Sequence, residues 1–424
     1  MADRNVCLTV VAAVVVAVRM AYIAYLGGAL AEPARDQELY LRLAGSILDG
    51  RGLSFGSDEN RLRVERSGED VISGSWASDP RYVFGLGPVD EPSALVEPGY
   101  PMILAAFMAV AGRVSGAVFL PNLLAQVMGA LAVSELARRL AGARAALFAG
   151  LSYALYPYYV FYTANAMTEA IHAGMLPVVV LATHSAMEGR SRPSAAGLAA
   201  GLLFLVRSTV LFLLPVQFAF VWRARGFRAA AGVLVSFLLC VAPWVARNAV
   251  ELGSPVLLPT KGSLNLWMRN NPGALSEEGV EVPGWIEVRS PELLEYPENP
   301  ASDGEVGRSA ELGDRARRFM MENPVLIAWL SAERLTSYLS PVPSSPCGPE
   351  WIPGALMYAS AAGLAGMALY RHRKSSLVWL MAAVFAAYCA VHALGHGGVR
   401  YRLPADSVLL AAASAAVSKN GRRA

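Results

Sequence analysis

Apolar residues fall in long unbroken runs separated by short basic turns, and these runs organise the whole chain. A helix needs about 20 apolar residues to cross the hydrocarbon core of a bilayer. On that ruler the pattern predicts spans near 6–28, 118–138, 143–162, 170–187, 228–246, 355–370, 376–395 and 403–418. The stretch 195–222 is apolar almost throughout but is interrupted by Arg207-Ser208-Thr209, so it reads either as one long span or as a tight pair of short helices. Arg4 precedes a first run that is too long for the apolar part of a signal peptide, and the run is expected to remain as a span. Arg19 inside that run is expected to snorkel or to pair within the bundle.

Basic residues beside short loops set the orientation, because they are retained on the cytoplasmic side. Such clusters are Arg138/Arg139/Arg144, Arg190/Arg192, Arg223/Arg225/Arg228, Arg371/Arg373/Lys374 and Lys419/Arg422/Arg423. Both flanks of 195–222 are basic, so the hairpin reading keeps them on one side and carries Arg207 to the opposite surface. The expected total is about ten segments with both termini cytoplasmic. Three regions then face outward: 29–117, a short turn at 163–169, and 248–354. Within them 99–113 and 324–340 are too short to span and read as juxtamembrane helices lying along the surface. The predicted fold is thus an all-α polytopic membrane protein with long extracytoplasmic loops. Its parts are a membrane module over 1–246 containing the loop 29–117, a large extracytoplasmic loop over 247–354, and spans over 355–424.

Composition agrees with a bilayer as solvent: 55% of the 424 residues are hydrophobic and only 16% charged, with a mean hydropathy of +0.40. The net charge of +3 is dispersed in short clusters, which excludes nucleic acid as a partner and leaves membrane lipids. Cys7, Cys240, Cys347 and Cys389 are far apart and form no metal-binding or disulfide pattern. There is no Walker loop or dinucleotide fingerprint, so no nucleotide cofactor is expected.

Candidate chemistry sits in the outward-facing segments. If 35–48 is helical, Asp36 and Tyr40 share a face at i,i+4 near the membrane surface, and a carboxylate there can take a proton from an attacking hydroxyl or amine. Glu169 lies in a turn between two spans that leaves almost no loop, where an acid is costly unless it binds something. Asp36 and Glu169 together either hold a divalent metal ion, Mg or Mn, or divide base and orienting duties. Glu97-Pro98-Gly99-Tyr100-Pro101 is a rigid helix start, with Tyr100 as a substrate contact. Cations complete the set: Arg207, Arg247 at the exit of an apolar run, Lys261 just beyond it, and Arg400 and Arg402 opening the last span. Four sequence-distant segments thereby bring arginine or lysine to the outer headgroup plane, where they suit phosphate oxygens. His392 and His396 beside the last pair read as packing or hydrogen-bonding residues.

On these residues the chain resembles integral-membrane glycosyltransferases of the C-type fold, the group of protein O-mannosyltransferases, aminoarabinose transferases and lipopolysaccharide sugar transferases. The resemblance rests on the order of Asp36 with Tyr40, Pro98-Gly99-Tyr100-Pro101, Thr168-Glu169, Pro243-Trp244 with Arg247-Asn248, Lys261-Gly262 with Asn265-Leu266-Trp267, and Arg400-Tyr401-Arg402-Leu403-Pro404. It implies transfer of a sugar from a polyprenyl-phosphate donor to a lipid, glycan or protein acceptor on the extracytoplasmic face of the cell membrane. Asp36 would be the general base, Glu169 the second-loop acid, and Arg207, Arg247, Lys261 and Arg400 the phosphate ligands. Many members carry an aspartate-glutamate pair where this chain has Arg35-Asp36-Gln37-Glu38, which favours a lipid or glycan acceptor over protein. The rival class is a transporter or flippase of a lipid-linked or anionic solute, whose repeated halves are not evident in this sequence.

Overall fold

The structure, a computed structural model, describes residues 2–30, 35–54, 65–66, 69–70, 91–112, 114–271, 286, 304–343 and 351–417. The side chains of Arg35, Asp36 and Glu38 fall outside that description, as do those of residues 2–4, 65–66 and 69–70. Apart from a two-residue antiparallel ribbon, Glu65–Arg66 with Glu69–Asp70, the described regular elements are helical.

The helices in chain order are α1 (Ala2–Tyr25), α2 (Arg35–Leu48), α3 (Gly99–Ala111), α4 (Val114–Ala141), α5 (Ala143–Leu155), α6 (Pro157–Thr163), α7 (Thr168–Met187) and α8 (Pro193–Phe204). A 3₁₀ turn over Ser208–Leu213 leads to α9 (Leu214–Arg225), α10 (Phe227–Glu251), α11 (Lys261–Arg269), α12 (Gly304–Glu322) and α13 (Pro324–Leu339). The chain finishes with α14 (Trp351–Arg371), α15 (Ser376–Leu394) and α16 (Val399–Val417). Proline opens α6, α8 and α13 at the first helical position, where its missing N–H costs nothing.

Six described helices, α1, α4, α7, α10, α14 and α15, are long and apolar enough to cross a membrane. The shorter α5–α6, α8 and α9, and α16 with its charged first half, bring the membrane segments to ten, and the protein is an all-helical polytopic membrane protein. Small residues let the spans approach closely. A Cβ added at Gly174 would sit 2.2 Å from the Ala125 carbonyl oxygen, and one at Gly197 would sit 2.0 Å from that of Val233.

Contacts at the helix termini divide the bundle into two ends. Arg139 reaches Glu188 at 3.3 Å, Arg225 donates to the Ala186 carbonyl, and Arg371 donates to that of Ala416. Ala368, Ala415 and Ala416 also pack with Leu140 and Ala141. The basic clusters at 138–144, 188–192, 223–228 and 371–374 therefore share one end, as a common orientation of the charges requires.

The stretch 195–222 is a hairpin of two 12-residue helices, each about 18 Å long. Its feet meet at the basic end, where Ala196 and Val221 pack in one cluster with Ala186 and Ala230. The tip with Arg207 lies at the opposite end, docked on α3 through Gly99 N–H to the Leu205 carbonyl (2.6 Å) and Ser208 N–H to Glu97 Oε1 (2.5 Å). Only glycine fits this docking, since a Cβ at Gly99 would lie 2.5 Å from the Leu205 oxygen.

One expected span is broken. Residues 143–162 form two helices, because Pro157 has no N–H for the Tyr153 carbonyl and Tyr156 turns to an extended ψ of 113°. Arg19 of α1 fills the gap: its guanidinium, fully buried, donates to the carbonyls of Ala154 and Tyr153 and to Gln126 Oε1. The awkward charge in the first span and the proline in the third thus answer each other.

At the far end, α10 leaves the bundle into a knot of juxtamembrane structure. Arg247 donates to the carbonyls of Ser93 (3.0 Å) and Leu53 (3.2 Å), while Glu305 of α12 accepts from Ala94 N–H and the Thr260 hydroxyl. The segment 93–99 consequently ties the α10 exit, α11 and α12 to the hairpin tip.

Replacing Arg19 by leucine strips a charged donor from carbonyls that no water can reach. The expected cost is about 2 kcal/mol, seen as a lower unfolding midpoint in detergent, with Arg19→Lys retaining part of the difference.

Candidate functional site

At the end away from the basic clusters, three elements meet on one carboxylate. Glu169, in the first turn of α7 and 1% exposed, accepts through Oε1 from Arg207 Nη1 at 3.0 Å and Arg400 Nε at 2.5 Å. Arg207 comes from the hairpin tip and Arg400 from the start of α16. Thr168 Oγ1 fixes the same Arg207 nitrogen at 2.7 Å, and Tyr401 stands between the two guanidiniums with its ring 5.6 Å from each. Glu169 Oε2 is buried with no hydrogen-bond partner among the described residues. Among the described side chains two cations face one anion, and the cations are the outer ones: the Arg207 and Arg400 side chains are 16% and 31% exposed.

A polar scaffold holds the turn that carries Glu169. Gln37 of α2 accepts from the Ala166 N–H at 2.7 Å and donates to Asn165 Oδ1 at 3.1 Å, while Asn122 of α4 donates to the carbonyls of Thr163 and Asn165. The first turn of α2, where Asp36 precedes Gln37, is therefore stitched to the Asn165–Glu169 turn. Tyr40 packs edge-on against Tyr100 with ring centroids 5.1 Å apart. Burial, with Tyr40 and Glu169 nearby, pushes the Tyr100 phenol well above its ordinary pKa and keeps it protonated. One turn beyond Glu169, His172 meets the Tyr388 hydroxyl at 2.5 Å.

Of the residues that the sequence singled out, Glu169, Arg207 and Arg400 converge, with Tyr40 and Tyr100 beside the first loop's helix. The Asp36 side chain lies outside the described residues. Arg247 is engaged with the first-loop carbonyls, and Lys261 opens α11, where its N–H bonds to the Leu95 carbonyl. Arg402 faces inward: fully buried, it pairs with Asp406 at 3.0 Å and caps the end of α13 through the carbonyls of Tyr338 and Ser340. His392 stacks on Tyr338 and donates through Nδ1 to the His396 carbonyl oxygen at 3.1 Å, a packing and hydrogen-bonding role. Gln37, Asn122 and Asn165 were not singled out, because a lone amide in an apolar run carries no spacing signal.

A divalent ion needs several anionic or imidazole ligands. Among the described residues no three His, Cys, Asp or Glu side chains come together, and Glu169 is already matched by two arginines. The described residues therefore do not by themselves bring three such ligands together.

Comparison with known proteins bears on this arrangement. Residues 90–246, which include Glu169 and Arg207, match the family described as dolichyl-phosphate-mannose-protein mannosyltransferase. No curated protein matches the chain. Among solved structures, the archaeal oligosaccharyltransferase AglB from Archaeoglobus fulgidus, in complex with an inhibitory peptide and a dolichol-phosphate, aligns over 98% of this chain and 50% of its own, at 15% identity and a TM-score of 0.55. The Archaeoglobus fulgidus oligosaccharyltransferase in complex with Zn and sulfate aligns over 97% and 48%, at 15% identity and a TM-score of 0.53. ArnT from Cupriavidus metallidurans bound to undecaprenyl phosphate aligns over 97% and 77%, at 16% identity and a TM-score of 0.43. The chain thus spans about half the length of the oligosaccharyltransferase it matches. It shares the fold of the portion of the oligosaccharyltransferase that it aligns with, in keeping with the all-α polytopic architecture expected from the sequence.

Two outcomes follow from the electrostatics. Glu169→Ala leaves two adjacent arginines without a counter-charge and is expected to cost about 3–5 kcal/mol, read from thermal unfolding in detergent. Inorganic phosphate, compared with chloride at equal ionic strength, should restore more of that loss in the variant than it adds to the wild type. Separately, burial and the neighbouring Arg269, His392, Arg334 and Arg400 pull the pKa of His396 down from 6.5 to about 3. Its neutral form is favoured by folding, so this contribution is complete above pH 6.5 and is lost as the pH falls from 6.5 toward 3. Acidification from pH 7 to 5 should remove about 2 kcal/mol from the wild type and less from His396→Asn; equal losses would refute the assignment.

Proposed function

We propose that this protein transfers a sugar from a polyprenyl-phosphate carrier to a lipid, glycan or protein acceptor at the extracytoplasmic face of the cell membrane. The observation that carries this reading is the pair Arg207 and Arg400, held by Glu169 at the end of the bundle opposite the basic clusters. Basic clusters mark the cytoplasmic side, so the site faces outward and both termini face inward. A partly exposed pair of arginines at the helix ends suits the phosphate of a lipid whose chain lies in the bilayer.

In this mechanism the carrier's phosphate lies against the outer faces of Arg207 and Arg400. Glu169 serves as a positioning residue that keeps the two guanidiniums together without neutralising both. Asp36, the sequence neighbour of Gln37, accepts the proton of the acceptor hydroxyl or amine. The acceptor oxygen or nitrogen bonds to the anomeric carbon as the bond from that carbon to the phosphate oxygen breaks. Polyprenyl phosphate departs with the electron pair, its added charge held by the arginines. Lys261 is assigned to the sugar-phosphate, and Arg247 to holding the first-loop segment through Ser93 and Leu53. The Asp-Gln-Glu order at 36–38 favours a lipid or glycan acceptor.

Membrane vesicles supplied with a radiolabelled polyprenyl-phosphate sugar test the reading. Asp36→Asn should lower transfer by about 10²–10⁴-fold and Arg400→Ala by about 10²–10³-fold, with the folded state verified by gel filtration. Undiminished transfer in Asp36→Asn would remove the base assignment. Label that crosses the bilayer without being consumed would make the protein a transporter instead.

A further inference from the structure

A second feature lies at the basic end, away from the proposed active site and independent of it. α14 and α15 both pack on α16 but scarcely on each other, and the space between them is a groove of about 250 Å³. It extends from Tyr358 to Leu369, a rise of about 16 Å along α14. Its walls, including Ala362, Gly366, Met381, Phe385 and Leu409, are apolar apart from Tyr358. Tyr358 closes the end nearer the site, capped by the Arg402 guanidinium 3.2 Å from its ring centroid. Gly366 is exposed and a Cβ built on it meets nothing within 4 Å, so the groove is open along the side that faces the bilayer.

The other end approaches charge. Leu369 lies two residues before Arg371, and Val378, also in the groove wall, lies four residues after Lys374. Arg371, Arg373 and Lys374 are exposed on this turn, followed by Ser375 and Ser376 at the start of α15. The turn is organised in advance: Arg371 donates to the Ala416 carbonyl, Arg373 lies over Tyr370 at 5.0 Å, and Trp379 donates to the Arg373 carbonyl at 2.8 Å. Within 351–417 the one carboxylate is Asp406, which is buried against Arg402.

We propose that this groove binds one hydrocarbon chain of an anionic phospholipid from the leaflet on the basic side, with the phosphate against Arg373 and Lys374. The apolar slot ends within two to four residues of the cationic turn, and together they match a headgroup followed by a chain. At its opposite end, toward the proposed active site, Tyr358 and Arg402 shut the groove.

Full-length protein, delipidated in detergent, is titrated with phosphatidylglycerol or phosphatidylethanolamine, and lipid retention is read by native mass spectrometry beside the thermal midpoint. Phosphatidylglycerol should be retained and raise the midpoint more than phosphatidylethanolamine. Each of Arg373→Gln and Lys374→Gln should weaken phosphatidylglycerol about five-fold, and both are exposed positions that leave folding intact. Gly366→Leu, which fills the slot, should abolish the preference while keeping the cations. Equal retention of the two lipids, wild-type binding by Gly366→Leu, or equal stabilisation by chain-free glycerol phosphate would overturn the proposal. Displacement of phosphatidylglycerol by polyprenyl phosphate would overturn it too, by making the carrier the occupant.

Discussion

One buried carboxylate draws together the end of the bundle opposite the basic clusters. Glu169 sits at a helix start among apolar neighbours, and its burial is tolerable because Arg207 and Arg400 reach the same oxygen from two other elements. α7, the hairpin tip and the start of α16 must all arrive for that to happen. The short length of the hairpin serves this purpose: its tip ends at the level of the α7 terminus and delivers Arg207 there. Among the described side chains that meet there, the cations outnumber the anion two to one.

The same economy governs the remaining buried arginines. In a bilayer the carbonyls at a broken or finished helix have no water to turn to. Arg19 serves the break between α5 and α6, Arg334 serves the ends of α11 and α15, and Arg402 serves the end of α13. Intramembrane arginine therefore has two uses in this chain. Arg19, Arg334 and Arg402 tie off helix ends through backbone carbonyls, whereas Arg207 and Arg400 join two elements to α7 through one carboxylate.

Much of this was legible in the chain itself. Hydropathy located the ten segments, and basic clusters predicted that 195–222 would fold back, as it does. Glu169 was conspicuous because an acid in a loopless turn needs a reason. Arg207, Arg247, Arg400 and Arg402 were indistinguishable by type and position, each being a cation where a span begins or ends. Their partners separate them, and partners from distant segments leave no trace in local spacing. Gln37 escaped notice for the same reason, although its two bonds bring the first loop's helix to the Glu169 turn.

By itself, then, the sequence determined the solvent, the class of fold and the sidedness of the charge pattern, because burying twenty apolar residues per segment in lipid dominates every other term. Tertiary structure decided which polar groups meet. Pro157 broke a span that hydropathy reads as continuous, Arg19 repaired it from another helix, and two of the several candidate cations closed on Glu169. Those choices depend on distances between segments far apart in the chain, and the hydrophobic pattern says nothing about them.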